Sequence, residues 1–293
     1  MRIVQGDQVP IKKGPSATRS GILDKQRILL GEPGSPGDFM FGVFYQIGNF
    51  YSPRHVHNFD QWRFQLEGSC GFDRNGTMTP GTLGYFPEGA HYGPQSSDVP
   101  NTIVVMQFGG PSGNGYLNGL RVAEAAEKMK AFGYFEKGVF HRNEGVEGKR
   151  TMDAYRASWE FVHGRPMEVA RPQYADPVLM NGDNYRWMPV DGSPGLEEKA
   201  YGTFTDCAIR AGSYKLAPGA TLKATGRGVY FVIAGEGVVE GQSFEPLTTV
   251  YLDDGEGVRF EATKVADILL MGLPSVALMA RHDAAAELRE TVE

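Results

Sequence analysis

Short apolar or alternating runs, each cut off by Gly, Pro, Asn or Asp, occur in two separate stretches of this chain. In the first they are DFMFGVFYQIG (38–48), QWRFQLEGSCGF (61–72), GTLGYFPEG (81–89) and NTIVVMQFG (101–109). In the second they are DCAIRAGSYKLAPG (206–219), GVYFVIAGEGVVEG (228–241), LTTVYLD (247–253) and VADILLMGL (265–273). Runs of this length are strands, and a series at this spacing predicts an antiparallel sandwich or barrel in each stretch. The 39 glycines and 18 prolines supply the turns that such a fold needs.

The residues between the two stretches have a different period. In RVAEAAEKMKAFG (121–133), Val122, Ala125, Ala126, Met129 and Phe132 share one helical stripe, and Gly133 is placed to stop it. TMDAYRASWEFVHGRP (151–166) repeats the pattern with Met152, Tyr155, Trp159 and Val162, then Gly164 and Pro166. The expected organisation is therefore a β domain over 1–115, a helical connector over 116–190, a second β domain over 191–275 and a terminal helix over 276–293.

The two β stretches also align with each other. Matching FQLEG (64–68) to FVIAG (231–235) lays GTLGYFPEGAH (81–91) over PLTTVYLDDGE (246–256) after a one-residue adjustment in the intervening turn. Glycines, β-branched residues and aromatics then fall at similar places, as a duplicated unit would have them.

In RHVHNFDQWRFQLEG (54–68), His55 and His57 are two residues apart. On a strand that spacing aims both imidazoles at one spot, and paired imidazoles are common ligands of transition metals. The pattern continues as His55-x-His57-x3-Gln61-x6-Gly68, followed by Gly81-x5-Pro87-x-Gly89 and His91. These motifs resemble the two conserved motifs of the cupin superfamily, and the whole chain resembles a bicupin.

The resemblance implies an all-β protein of two cupin-type antiparallel β-barrels, of the jelly-roll class, with a helical connector. It also implies one divalent transition metal (Fe, Mn, Ni or Zn) held by His55, His57, Gln61 and His91. Two departures stand out: Gln61 occupies the place of a family glutamate, and His91 comes one residue before the usual histidine, where Tyr92 stands. Neutral ligands leave the charge of a divalent ion uncompensated and favour an anionic, chelating substrate. Asp60 is an alternative ligand only if the strand bulges, because neighbouring strand residues face opposite ways.

Gln61, Arg63 and Gln65 share one parity, and polar side chains in a barrel interior need partners. Arg63 could clamp a carboxylate or enolate, and Gln65, Tyr85 and Tyr92 complete the candidate catalytic set. In the second stretch the positions of His55, His57, Gln61 and His91 hold Leu222, Ala224, Gly228 and Glu256, so that unit is degenerate. His141, His163 and His282 lack ligand spacing.

Composition excludes several alternatives. A net charge of −6 gives no basic stripe for nucleic acid. No apolar run approaches the roughly 18 residues of a membrane span, and MRIVQGDQVPIKKG lacks the apolar core of a secretory signal. Cys70 and Cys207 are too few for a disulfide framework, Cys70 has no placed base, and GPSGNG (110–115) lacks the lysine of a phosphate-binding loop. The leading expectation is a cytoplasmic, homodimeric, metal-dependent enzyme of dioxygenase type, acting on a small oxygen-rich anion in the first barrel. The alternatives are an isomerase or decarboxylase that uses no oxygen, or a bicupin that only binds a small ligand.

Overall fold

Strand pairing divides the chain at residue 182. The computed structural model describes residues 1–279 apart from 17 and 36. From residue 280 onward the expected terminal helix, and His282 with it, lies outside the described residues. One compact unit comprises Ile11–Gly182, and the other joins Met1–Pro10 to the residues from Asp183 onward.

The first unit is built on a six-stranded antiparallel sheet. Its order is Val178–Asn181, Thr82–Phe86, Phe59–Glu67, Asn101–Gly109, Phe39–Gln46 and Leu23–Leu30. A smaller sheet of Phe50–Ser52, Gln95–Ser97, Cys70–Gly71 and Thr77–Met78 shares its core. The expected closed barrels are thus corrected: among the described residues no sheet closes on itself, and every sheet of either unit is open. The reason is local. Strands of two or three residues in the smaller sheet are too short to carry a ladder around from one sheet to the other.

Register fixes the inner face of the large sheet. Gln61, Gln107, Met40 and Leu30 form one cross-strand row; Arg63, Val105, Gly42 and Arg27 form the next; Gln65, Ile103, Phe44 and Lys25 form a third. Asp60, Trp62 and Phe64 alternate with these residues and face the other way, where they are buried.

Two helices lie in the same unit. Helix α1 (Gly119–Met129) is capped by Asn118, whose side chain accepts from the Leu120 and Arg121 amides. It stops a turn before Gly133, which opens a strand instead. Helix α2 (Ala154–His163) is capped by Asp153 and closed by Gly164 in the left-handed region, φ 64°. Tyr155 and Trp159 of α2 enter the core of the first unit. A three-stranded sheet of Gly133–Glu136, Val139–Arg142 and Thr151–Asp153 fills what reads in the sequence as helical connector.

The second unit pairs a seven-stranded sheet with a four-stranded one. Its outermost strand, Arg2–Val4, comes from the chain's beginning and pairs with Thr249–Leu252. Leu222 and Ala224 pack with Tyr230, Val250, Phe260 and Leu270 in a filled apolar core.

Candidate functional site

His55 and His57 sit on the bend that enters strand 59–67. His55 exchanges two backbone hydrogen bonds with Tyr92, and the His57 carbonyl accepts from the Gly89 amide. Both rings are buried, with centroids 4.7 Å apart, and His57 also stacks on Phe59 at 4.3 Å. Burial pushes both imidazoles well below their usual titration range. The charge of Arg19 adds to this at His55, and the adjacent His55 ring, with the charges of Arg19 and Arg63, at His57. Both rings are therefore neutral at neutral pH, and the position of each single proton matters.

Hydrogen-bond accounting assigns those protons. Arg63 has donors only, and one of its terminal nitrogens donates to Gln61 Oε1 at 3.1 Å. Gln107 Nε2 donates to the same oxygen at 3.1 Å. Gln61 must then present its NH2 group, which reaches His57 Nδ1 and the Tyr92 hydroxyl, both at 2.9 Å. That hydroxyl also accepts from Arg63 at 3.0 Å, so its own proton is left for His57 Nδ1 at 3.1 Å. His57 Nδ1 is an acceptor and Nε2 carries the proton. At His55, Nδ1 lies against the Pro53 carbonyl, which can only accept, so Nδ1 carries the proton and Nε2 the lone pair. The two rings are opposite tautomers, and both residues line one cavity.

That cavity has a volume of about 200 Å³. Arg19, Lys25, Arg27 and Arg63 line it, with Gln46, Gln95 and Gln107, and no carboxylate among the described residues does. Arg63 has no carboxylate partner among the described residues, and its guanidinium instead lies over Phe86 at 4.6 Å and donates to Gln95 at 2.8 Å. Burial, with Arg27 and Lys12 nearby, lowers Lys25 from 10.5 to about 8. Sequence reasoning missed Arg19, Lys25, Arg27, Gln95 and Gln107. The alternation of Leu23, Lys25 and Arg27 was the available signal for two of them.

The remaining candidates are distributed differently. His91 is exposed, while Tyr92 beside it is buried and joins the network. Gln65 is buried and donates to the Glu67 carbonyl at 2.7 Å, away from the histidines. Tyr85 lies on the opposite face of the sheet, where it donates to Asp60 at 2.8 Å. Asp60 also accepts from the Glu88 amide at 2.6 Å, and burial raises its carboxyl to about 7.

A divalent metal does not fit this donor set as it stands. Gln61 turns its oxygen toward Arg63 and Gln107 and its amide hydrogens toward His57, and His57 holds a proton on Nε2. Among the described residues no three His, Cys, Asp or Glu side chains converge as a metal cluster. Arg63 already supplies the positive charge beside Gln61.

No family model and no curated protein matches the chain. Solved structures do. A proposed dioxygenase from Nostoc punctiforme superposes with a TM-score of 0.62 at 9% identity, over 94% of this chain and 83% of that one. A single-residue variant of oxalate decarboxylase from Bacillus subtilis gives 0.54 at 11% identity, over 94% and 78%. A structure of the same decarboxylase, studied for its Mn(II) centres, gives 0.52 at 11%, over 92% and 77%. The chain shares the fold of these structures. At these identities the likeness concerns the fold alone, and no helix among the described residues is long and apolar enough to cross a membrane.

Proposed function

We propose that the first unit is an enzyme that takes a small, oxygen-rich anion into its cationic cavity and acts on it by proton transfer, in an isomerisation or a decarboxylation. One observation carries this reading: two buried neutral imidazoles of opposite tautomer line the same cavity. His55 Nε2 has the lone pair of a general base, and His57 Nε2–H is a donor held in place by Gln61 and Tyr92. Arg63, Arg27 and Lys25 stabilise a substrate carboxylate and the negative charge that develops on an adjacent oxygen when a proton or carbon dioxide leaves. Tyr92 keeps its proton, because burial raises its phenol above the usual value.

Transfer to deuterated water tests this. With a panel of 2-oxo, 3-oxo and 2-hydroxy acids, at least one should exchange a carbon-bound proton or release carbon dioxide without consuming oxygen. His55→Asn should abolish the turnover while binding persists. Binding of panel members with no turnover would leave a ligand-binding protein.

The His-x-His spacing favours a second reading, a dioxygenase whose divalent metal is held by His55 and His57. It requires His57 to surrender its Nε2 proton and Gln61 to turn. Oxygen uptake that disappears with a chelator would select it.

A further inference from the structure

The register of the large sheet says more about the anion. Arg63 pairs with Val105, Val105 with Gly42, and Gly42 with Arg27, so the two arginines stand three strand spacings apart in one row. Three strand spacings of about 4.8 Å put their Cα atoms about 14 Å apart. Residues in one row share a face, and both arginines line the cavity. Between them the floor is largely apolar: Val105 lies in the row, with Met40, Phe44 and Ile103, and also Gln107, in the rows beside it. Gly42 adds no side chain, and a Cβ there would meet the Gln26 carbonyl oxygen at 2.4 Å.

Both arginines keep a donor without a partner. The Nε of each is buried with no hydrogen bond, and Arg63 is 7% exposed. Among the described residues neither guanidinium has a carboxylate within 4.0 Å; the ion pairs lie elsewhere. A buried Arg63 and a half-buried Arg27 without counter-ions, facing one cavity across a largely apolar floor, call for two anionic groups to offset their desolvation.

We infer that the cavity is built for a two-ended anion: two carboxylates, or groups of like charge, joined by an apolar spacer, one held by Arg63 and the other by Arg27. Lys25, one row from Arg27 on the same strand, supports the second end. This rests on the anion-binding part of the proposed function but not on its chemistry. A diacid on adjacent carbons engages one arginine at a time, whereas a longer one spans both.

Calorimetric titration of the full chain with oxalate, malonate, glutarate, adipate and pimelate, beside pentanoate and hexanoate, tests it. Glutarate or adipate should bind about tenfold or more tighter than the monoacid of the same length, pentanoate or hexanoate, and than oxalate. Arg27→Gln touches no part of the histidine network and should reduce the best diacid to the level of its monoacid. Arg63→Gln should do the same, with thermal melting confirming that each variant is folded. Equal affinities for monoacid and diacid, unchanged by Arg27→Gln, would overturn the two-ended site and leave the anion reading intact. Failure of every acid in the series to bind would overturn both.

Discussion

The Arg63 guanidinium donates to Gln61 Oε1 at 3.1 Å, and through that contact it decides which nitrogen of His57 carries a proton. A glutamate at position 61 would present an acceptor to His57 instead of a donor. Gln61→Glu should therefore move the His57 proton to Nδ1, turn the Nε2 lone pair into the cavity and place a carboxylate beside Arg63. The variant should bind a divalent transition metal at least tenfold tighter than the wild type in a competitive chelator titration. Unchanged metal affinity would mean that Gln61 does not control the site.

Tyr92→Phe removes the hydroxyl that accepts from Gln61 and Arg63 and donates to His57. Stranding these buried groups should cost about 1–3 kcal/mol in denaturant unfolding. Its exposed neighbour makes a control: His91→Ala should stay within about 0.5 kcal/mol and leave anion binding unchanged.

Acid stability should depend on groups of opposite sign. His55 and His57 stay neutral in the folded state well below 6.5, so below that pH the unfolded chain binds more protons and stability falls as pH falls. Asp60 works against this: raised from 3.8 to about 7, it holds a proton in the folded state through that window, which makes folding less favourable as pH rises. Asp60→Asn removes the opposing contribution, so the loss of stability from about pH 6.5 downward should be steeper in the variant. Urea unfolding at several pH values gives both slopes.

On the alkaline side Lys25 loses its proton near 8 in the folded chain and near 10.5 in the unfolded one. Between those values the unfolded state binds more protons, and stability should rise with pH. An anion bound beside Lys25 should restore its charge. Titrations at a pH just above 8, in buffers of different ionisation enthalpy, should therefore show proton uptake on binding, and Lys25→Met should abolish it.

The alternating pattern from Gln61 to Gln65, together with the apolar side chains between, was legible because strand parity is a local property. Helices α1 and α2 were legible from their stripes and from Gly164. Three things were not. The sheet holding Gly133–Glu136 and Val139–Arg142 is short, and Tyr134 is exposed, so it carries no clean alternation. Arg2–Val4 is a strand because Thr249–Leu252, far along the chain, offers it an edge. The histidine tautomers depend on Arg63, Gln61, Tyr92, Gln107 and the Pro53 carbonyl, which meet only once the strands are in register.

Nitrogen-15 NMR of histidine-labelled protein at neutral pH measures those tautomers directly. The rings of His55 and His57 should both be neutral, with the proton on Nδ1 at His55 and on Nε2 at His57, each assigned by loss of its signal in His55→Asn or His57→Asn. A proton on Nδ1 of both rings, leaving both Nε2 atoms free to ligate a metal, would contradict the account.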